Sequence, residues 1–341
     1  MSKLWCGPVL CELQQQVAPG YGQTWLLYRS DSLEAQAVHI THEVGPLQRG
    51  RELVTRLSTD VDNVEEGQPI AYTDDNALEF VKRHTNLQQP EPIPSSYYPI
   101  SAAAFIRDES AAARQLTVLT DRAHGAASLA KGELEVMLHR RCDSNDNKGN
   151  GENLDETDHI SASTMLLLDP RAEAMDKVRR LSLQQNFPPT AIFAPAESVA
   201  SYKAHAATSS SRLLEKALPP NVHLLSLDQR YGSGNATVLR LQHVYEASDQ
   251  SNLSAPVSVD LGEYLDLDVR LESMVEMSLS ANLRKASVDS QRLRWRVENE
   301  STAVGRDDAG AAADGGPHVV TLRPREIRTF LLNAEPADPP A

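Results

Sequence analysis

Three cysteines in 341 residues cannot staple a fold of this size or build a cysteine-rich zinc cluster. Cys6, Cys11 and Cys142 leave at least one thiol unpaired within the chain, and no Cys-x-x-Cys pair occurs. Positive charge is scarce as well. Thirty-three Lys and Arg stand against 47 Asp and Glu, a net charge of −14. So acidic a surface repels a phosphate backbone, which excludes nucleic acid as a partner class. No apolar run reaches the roughly 18 residues of a membrane-spanning helix. Nor is there a Gly-x-Ser-x-Gly elbow, or a glycine-rich phosphate loop leading into a helix. The N-terminus, MSKLWCGPVLCELQQQ, has one lysine and a short apolar patch broken by Pro8, a poor signal peptide. Three sequons, at Asn235, Asn252 and Asn299, nevertheless suit a glycosylated protein of the secretory pathway. Sequons without a leader imply a polypeptide that begins upstream of Met1.

What is present is mostly strand. Apolar residues make up 40% and charged residues 23%, a globular composition, and the length favours two domains. QLTVLTD (115–121) is short and β-branched. In ATVLRLQHVYE, Leu239, Leu241 and His243 share one face by period two, and Val238, Arg240 and Gln242 share the other. VVTLRPREIRTFLL divides into two strands around Pro324, which cannot occupy a central ladder. Helix is sparse. The best candidate follows Asp169-Pro170, with Ala172, Met175, Val178 and Leu181 at helical spacing and Pro188-Pro189 as the stop. Segments 196–212 and 305–318, rich in Ala, Ser, Gly and Asp, read as connectors. The expected architecture is packed antiparallel sheets in a larger domain, 1–215, and a smaller one, 216–341.

LHRRCDSNDNKGNGENLDET (138–157) is the stretch richest in chemistry. A calcium loop would take Asp143, Asn145 and Asn147 as ligands. It would then need Gly at position six and Glu at position twelve, where Lys148 and Leu154 stand. A plain surface turn is the bland alternative, since Asn, Asp and Gly favour turns. HITH (39–42) suggests a metal pair, but in a strand His39 and His42 point to opposite faces.

Longer runs carry a resemblance. YTDDNALEF (72–80) comes first, then SSYYPISAAAFIRDESAAARQLTVLTDRAHGAASLAKGELEVMLHRR (95–141), then LPPNVHLLSL, ATVLRLQHVYE and NLSAPVSVDL. MSLSANLRKASVDSQRLRWR and TLRPREIRTFLL complete the series. In this order they resemble the β region that follows the catalytic domain in class II α-mannosidases, glycoside hydrolase family 38, closest to the lysosomal branch. The resemblance implies a mainly β fold: a mutarotase-like β-supersandwich followed by a smaller antiparallel β-sandwich. It implies an enzyme that hydrolyses terminal α-mannose of N-glycan oligosaccharides with retention. The nucleophile, the acid/base carboxylate and the zinc ligands belong to a catalytic domain not matched here. No cofactor is therefore expected on this chain, and zinc is expected in that domain. The expected partners are that domain and, through the full enzyme, a mannose-containing oligosaccharide. The expected location is the lysosome or secretory pathway.

The resemblance also gives the loop a role. After His-Arg-Arg the family has an Asp-Asp-x-Arg-Gly-like turn that approaches the sugar. Asp146, Asn147 and Lys148 align there and become the candidate substrate contacts, with Lys148 keeping the charge but not the planar fork of arginine. Gly149 permits the sharp turn. His139, Arg140 and Arg141 read as structural ion-pair donors. The alternative role is a stand-alone, non-catalytic β-sandwich that binds carbohydrate or a partner.

Overall fold

The computed structural model describes residues 2–74, 78–108, 113–145, 149, 151–193, 195, 198–205, 214, 216–229, 236–249, 251–264, 269–293 and 316–336. The chain forms two compact units, Met1–Pro189 and Thr190–Ala341. Both are built from antiparallel strands.

Unit 1 begins with β1 (Ser2–Cys6), β2 (Leu10–Ala18), β3 (Tyr21–Tyr28), β4 (Val38–Val44) and β5 (Arg51–Ser58). It continues with β6 (Val64–Glu65), β7 (Gln68–Asp74), β8 (Phe80–His84), β9 (Tyr98–Ile100) and β10 (Ala103–Arg107). The last strands are β11 (Arg114–Thr120), β12 (His124–Ala127), β13 (Glu133–Arg141) and β14 (Ile160–Pro170), and helix α1 (Arg171–Asn186) follows. The large sheet runs β1-β2-β3-β4-β14-β11-β10-β7-β6, with β8 also on β7, and a four-stranded sheet runs β5-β13-β12-β9. Pro99 lies in β9, at an edge, where a missing N–H disturbs no ladder.

Strand β11 shows why the large sheet has two cores. Residues 115–120 are all buried, because both faces are covered. Leu116 and Val118 join Ala104, Ile106, Leu134 and Val136 in the layer between the sheets. Leu119 faces the other way and joins Phe105, Leu167, Met175, Val178 and Leu181, where α1 packs. Each fully buried Leu or Ile side chain contributes about 2 kcal/mol relative to exposure.

Helix α1 departs from the sequence expectation at its start. Pro170 is the N-cap, without a side-chain cap bond. Asp169 is still in β14, paired with Gln115, and its carboxylate accepts from Lys177 instead of capping. Ala172 is exposed and Ala174 occupies the buried stripe with Met175, Val178 and Leu181.

Unit 2 holds α2 (Val199–His205), β15 (Val222–Gln229), β16 (Ala236–His243), β17 (Val257–Asp260), α3 (Leu261–Tyr264) and β18 (Val269–Met277). Then come α4 (Lys285–Gln291), β19 (Val319–Leu322) and β20 (Ile327–Pro336). One sheet runs β15-β16-β20-β18, and β17 pairs with β19. Leu239, Leu241, Val320, Leu322, Phe330 and Leu332 form its core. Pro324 lies between two strands, as expected, and those strands belong to different sheets; Arg325, at φ 64°, completes the turn.

Candidate functional site

The segment after β13 leaves the sheet through a narrow neck. Cys142 N–H donates to the Leu154 carbonyl at 2.8 Å, closing residues 142–154 at their root. Arg141 Nε donates to Asp155 Oδ1 at 2.6 Å and its Nη1 to the Leu47 carbonyl at 2.8 Å. Arg49 grips the other Asp155 oxygen. Two guanidinium groups hold the Asp155 carboxyl below the usual carboxylate range, Arg141 first and Arg49 second. Gly50, at φ 69°, brings the turn before β5 against the neck, and a Cβ there would lie 2.5 Å from Asp143 Oδ2. Arg140 turns instead to Glu52, its cross-strand neighbour, at 3.2 Å. Both arginines are thus ion-pair donors. Gly149 has φ 137°, in the region that favours glycine. Asp146, Asn147 and Lys148 lie outside the described residues.

Sequence reasoning missed Asp155 and Arg49. The only trace of Asp155 is an acid placed just past the loop, where a hairpin brings it back to Arg141. It also missed Asp74, buried at the end of β7, whose carboxylate accepts N–H bonds from Ser101, Ala102 and Ala103 at 2.9, 3.0 and 3.1 Å. The Tyr97 hydroxyl donates to buried Glu135, which Arg56 also holds at 2.6 Å. Burial first, and that carboxylate second, push the Tyr97 hydroxyl well above its ordinary pKa.

His39 and His42 do point apart. His39 Nε2 bonds the Glu34 carbonyl at 3.0 Å, whereas His42 faces the layer between the sheets, fully buried. The hydrogen-bond pattern assigns His42 as a neutral ring with its proton on Nε2. That proton goes to Thr164 Oγ1 at 3.1 Å, and Nδ1 accepts from the Tyr21 hydroxyl at 3.2 Å. Burial, helped by repulsion from His124 and opposed by Asp121, lowers its pKa to about 4. Among the described residues no group of three or more His, Cys, Asp or Glu could hold a metal ion.

Cys6 and Cys11 face each other across β1 and β2 and form a disulfide; Cys142 is free. Asn252 is exposed at the start of a short 3-10 turn, while Asn235 and Asn299 lie outside the described residues. No helix among the described residues is long and apolar enough to cross a membrane.

The profile of the Glycosyl hydrolases family 38 C-terminal domain matches residues 2–148, from β1 into the segment beyond the neck. Residues 2–148 carry the C-terminal domain of glycosyl hydrolases family 38. The chain's similarity to individual members extends beyond the matched domain. A probable alpha-mannosidase of Arabidopsis thaliana is 32% identical, over 96% of this chain and 32% of the relative. The lysosomal alpha-mannosidase of Cavia porcellus is 33% identical over 86% and 29%, and that of Homo sapiens 31% identical over 96% and 32%. The chain thus spans about a third of the length of these relatives, and it corresponds to the C-terminal region of the family. The crystal structure of an alpha-mannosidase from Enterococcus faecalis V583 shares the fold, with a TM-score of 0.53 at 13% identity, over 91% of this chain and 29% of that one. As the resemblance implied, the chain is mainly β, in several antiparallel sheets.

Proposed function

We propose that this chain is the C-terminal β region of a lysosomal-type α-mannosidase polypeptide, where it braces the catalytic part and lends it the finger 142–154. One observation carries the bracing role. Leu4, Leu13, Trp25 and Ile40 stand in register across β1 to β4. Ile40 is 3% exposed, in the core, and Leu4 is 65% exposed, at the end of the same row. The inner face of the large sheet thus continues as an apolar surface past the end of the core. Such a surface gains about 25 cal/mol for each Å² that a partner covers.

The catalytic part of the same family is the partner that fits, and the length of the relatives leaves room for it. That part would carry the nucleophile, the acid/base carboxylate and the zinc, and would act on terminal α-mannose of N-glycan oligosaccharides. Lys148, with Asn147 and Asp146, would reach the sugar from the neck built by Arg141, Arg49 and Asp155. The Cys6–Cys11 disulfide suits an oxidising compartment, and the names of the animal relatives suit the lysosome.

Co-expression with the catalytic part of a family 38 α-mannosidase tests this. The complex should co-purify and turn over an α-mannoside, whereas residues 1–341 alone should show no turnover with or without zinc. A Leu4→Asp, Trp25→Asp double variant should lose the complex. Zinc-dependent hydrolysis by the chain alone, or a complex indifferent to the double variant, would sink the reading.

A further inference from the structure

A line of hydrogen bonds runs from the apolar face of β1 to β4 into the layer between the sheets. Tyr21, Gln23 and Trp25 share one side of β3 by strand parity, and His42 and Ile40 stand opposite Gln23 and Trp25 on β4. Trp25 thus belongs both to this line and to the row Leu4, Leu13, Trp25 and Ile40 that a partner would cover. Its indole Nε1 donates to Gln23 Oε1 at 3.2 Å. Gln23 Nε2 donates to the Tyr21 hydroxyl at 2.5 Å. That hydroxyl donates to His42 Nδ1 at 3.2 Å, and Gln23 Nε2 lies 3.4 Å from the same nitrogen. His42 Nε2 donates in turn to Thr164 Oγ1 on β14 at 3.1 Å. Every donor points the same way, from the half-buried indole toward the fully buried ring and β14.

The direction of the line depends on one lone pair. Neutral His42 offers Nδ1 as an acceptor, and the Tyr21 hydroxyl and the Gln23 amide nitrogen both face it. A proton taken from solvent by Nδ1 makes the ring a donor at both nitrogens. Tyr21 can then only accept from it, so the phenol proton must turn elsewhere. The next acceptor along the line is Gln23 Oε1, which faces Tyr21 once the amide turns over. The amide nitrogen then meets Trp25 Nε1, donor against donor, and the indole loses its partner. Few charges stand near enough to intervene. His124, on β12, repels a positive charge on His42, whereas Asp121, between β11 and β12, favours one but is held by Arg122 at 2.7 Å. Burial raises the pKa of the Tyr21 hydroxyl, which keeps it protonated. On β14 His42 meets Ala162 and Thr164, which do not ionise.

We propose that this line is an acid-sensitive latch on the docking face: a proton on His42 turns Gln23 over, frees the Trp25 indole and weakens the hold on the partner. The latch rests on the docking role given above and adds its regulation. Coupling between two such events is reciprocal. A partner that pins Trp25 therefore also keeps His42 neutral further into acid. The reach is short, because Gln23 and His42 are direct neighbours across β3 and β4.

Two NMR signals of the full chain test it, the Trp25 indole N–H and the His42 ring, followed from pH 6.5 to pH 3.5. Both should move together, with a midpoint near pH 4. Gln23→Leu should leave His42 titrating and hold the indole signal level. His42→Gln, which cannot charge, should hold it level too, and serves if the first variant misfolds. An indole signal that stays level in the parent while His42 titrates, or that responds unchanged in a folded variant, would overturn the proposal. Binding to the catalytic part of a family 38 α-mannosidase is the second readout. A one-proton latch with that midpoint weakens the Kd about four-fold between pH 6 and pH 3.5, and His42→Gln should remove this difference. The same pH dependence in the parent and in His42→Gln would also overturn it. Failure to form a complex even at pH 6 would strike the docking role instead, and the indole signal would still decide the hydrogen-bond relay.

Discussion

His42 is 0% exposed between β3 and β14, while the Asp155 side chain stands 28% exposed at the root of a surface segment. Both hold unit 1 together through polar contacts, yet their environments push them in opposite directions. His42 has neutral partners, Tyr21 and Thr164, so burial disfavours its charged form. Asp155 has two guanidinium groups, so its charged form is favoured. The neutral hub belongs to neutral pH, and the ion-paired neck survives acid. A protein placed in an acidic compartment would rely on the second device and carry the first as a cost.

The largest expected effect breaks the His42 side of this comparison. Unfolded, the ring takes a proton near pH 6.5; folded, only near pH 4. Between those values the unfolded state binds more protons, so stability falls as the pH falls, by about 3 kcal/mol in all. Denaturant unfolding at pH 7 and pH 4.5 should show most of this loss. His42→Gln, which cannot charge, should show a flatter profile even if it is less stable at pH 7. An equal slope in both proteins would place the acid sensitivity elsewhere.

Next in size is Lys148→Ala in the reconstituted polypeptide. If the finger reaches the sugar, kcat/KM should drop about tenfold, which is about 1.4 kcal/mol, with the unfolding midpoint unchanged. Lys148→Arg should keep or raise activity. Kinetics identical to the parent for Lys148→Ala would reduce the segment to a surface turn. Gly50→Ala tests the neck itself. It forces a Cβ into a left-handed conformation beside Asp143, and should cost about 1 kcal/mol and loosen 142–154 to protease. An unchanged digestion pattern would show that this turn does not shape the neck.

These clusters differ in how far the sequence announces them. The strands were legible from β-branched and apolar runs such as 115–121, and Pro324 marked the break between two strands through its missing N–H; that these strands belong to different sheets was not legible. The helix stripe was legible except at its first turn, where strand pairing through Asp169 overrode capping. The opposed faces of His39 and His42 followed from strand parity alone. What His42 touches did not: Thr164 is 122 residues away, and long-range register is absent from a local pattern. The neck shows the same limit. Arg141 was recognisable as an ion-pair donor, but Arg49 and Asp155, 106 residues apart, meet only because β5 pairs with β13.

The smallest expected effect sharpens the contrast at the neck. Arg141 and Arg49 hold Asp155 below its ordinary pKa of 3.8, so the group stays ionised through the range in which His42 titrates. A carboxylate of this kind stabilises above its unfolded pKa, and that stabilisation is lost only as the pH falls through the lower, folded value. The protection factor of the Cys142 amide, which bonds Leu154 across the neck, should therefore stay level from pH 7 to 4.5. The amides of Thr164 and its neighbours in β14, beside His42, should lose protection over the same interval. Salt should weaken the neck slightly, because Arg49 is 61% exposed, and leave the His42 region alone. Parallel loss of protection at Cys142 and Thr164 would mean that the two clusters open as one unit, and that the acid response of the buried histidine reaches the root of the finger.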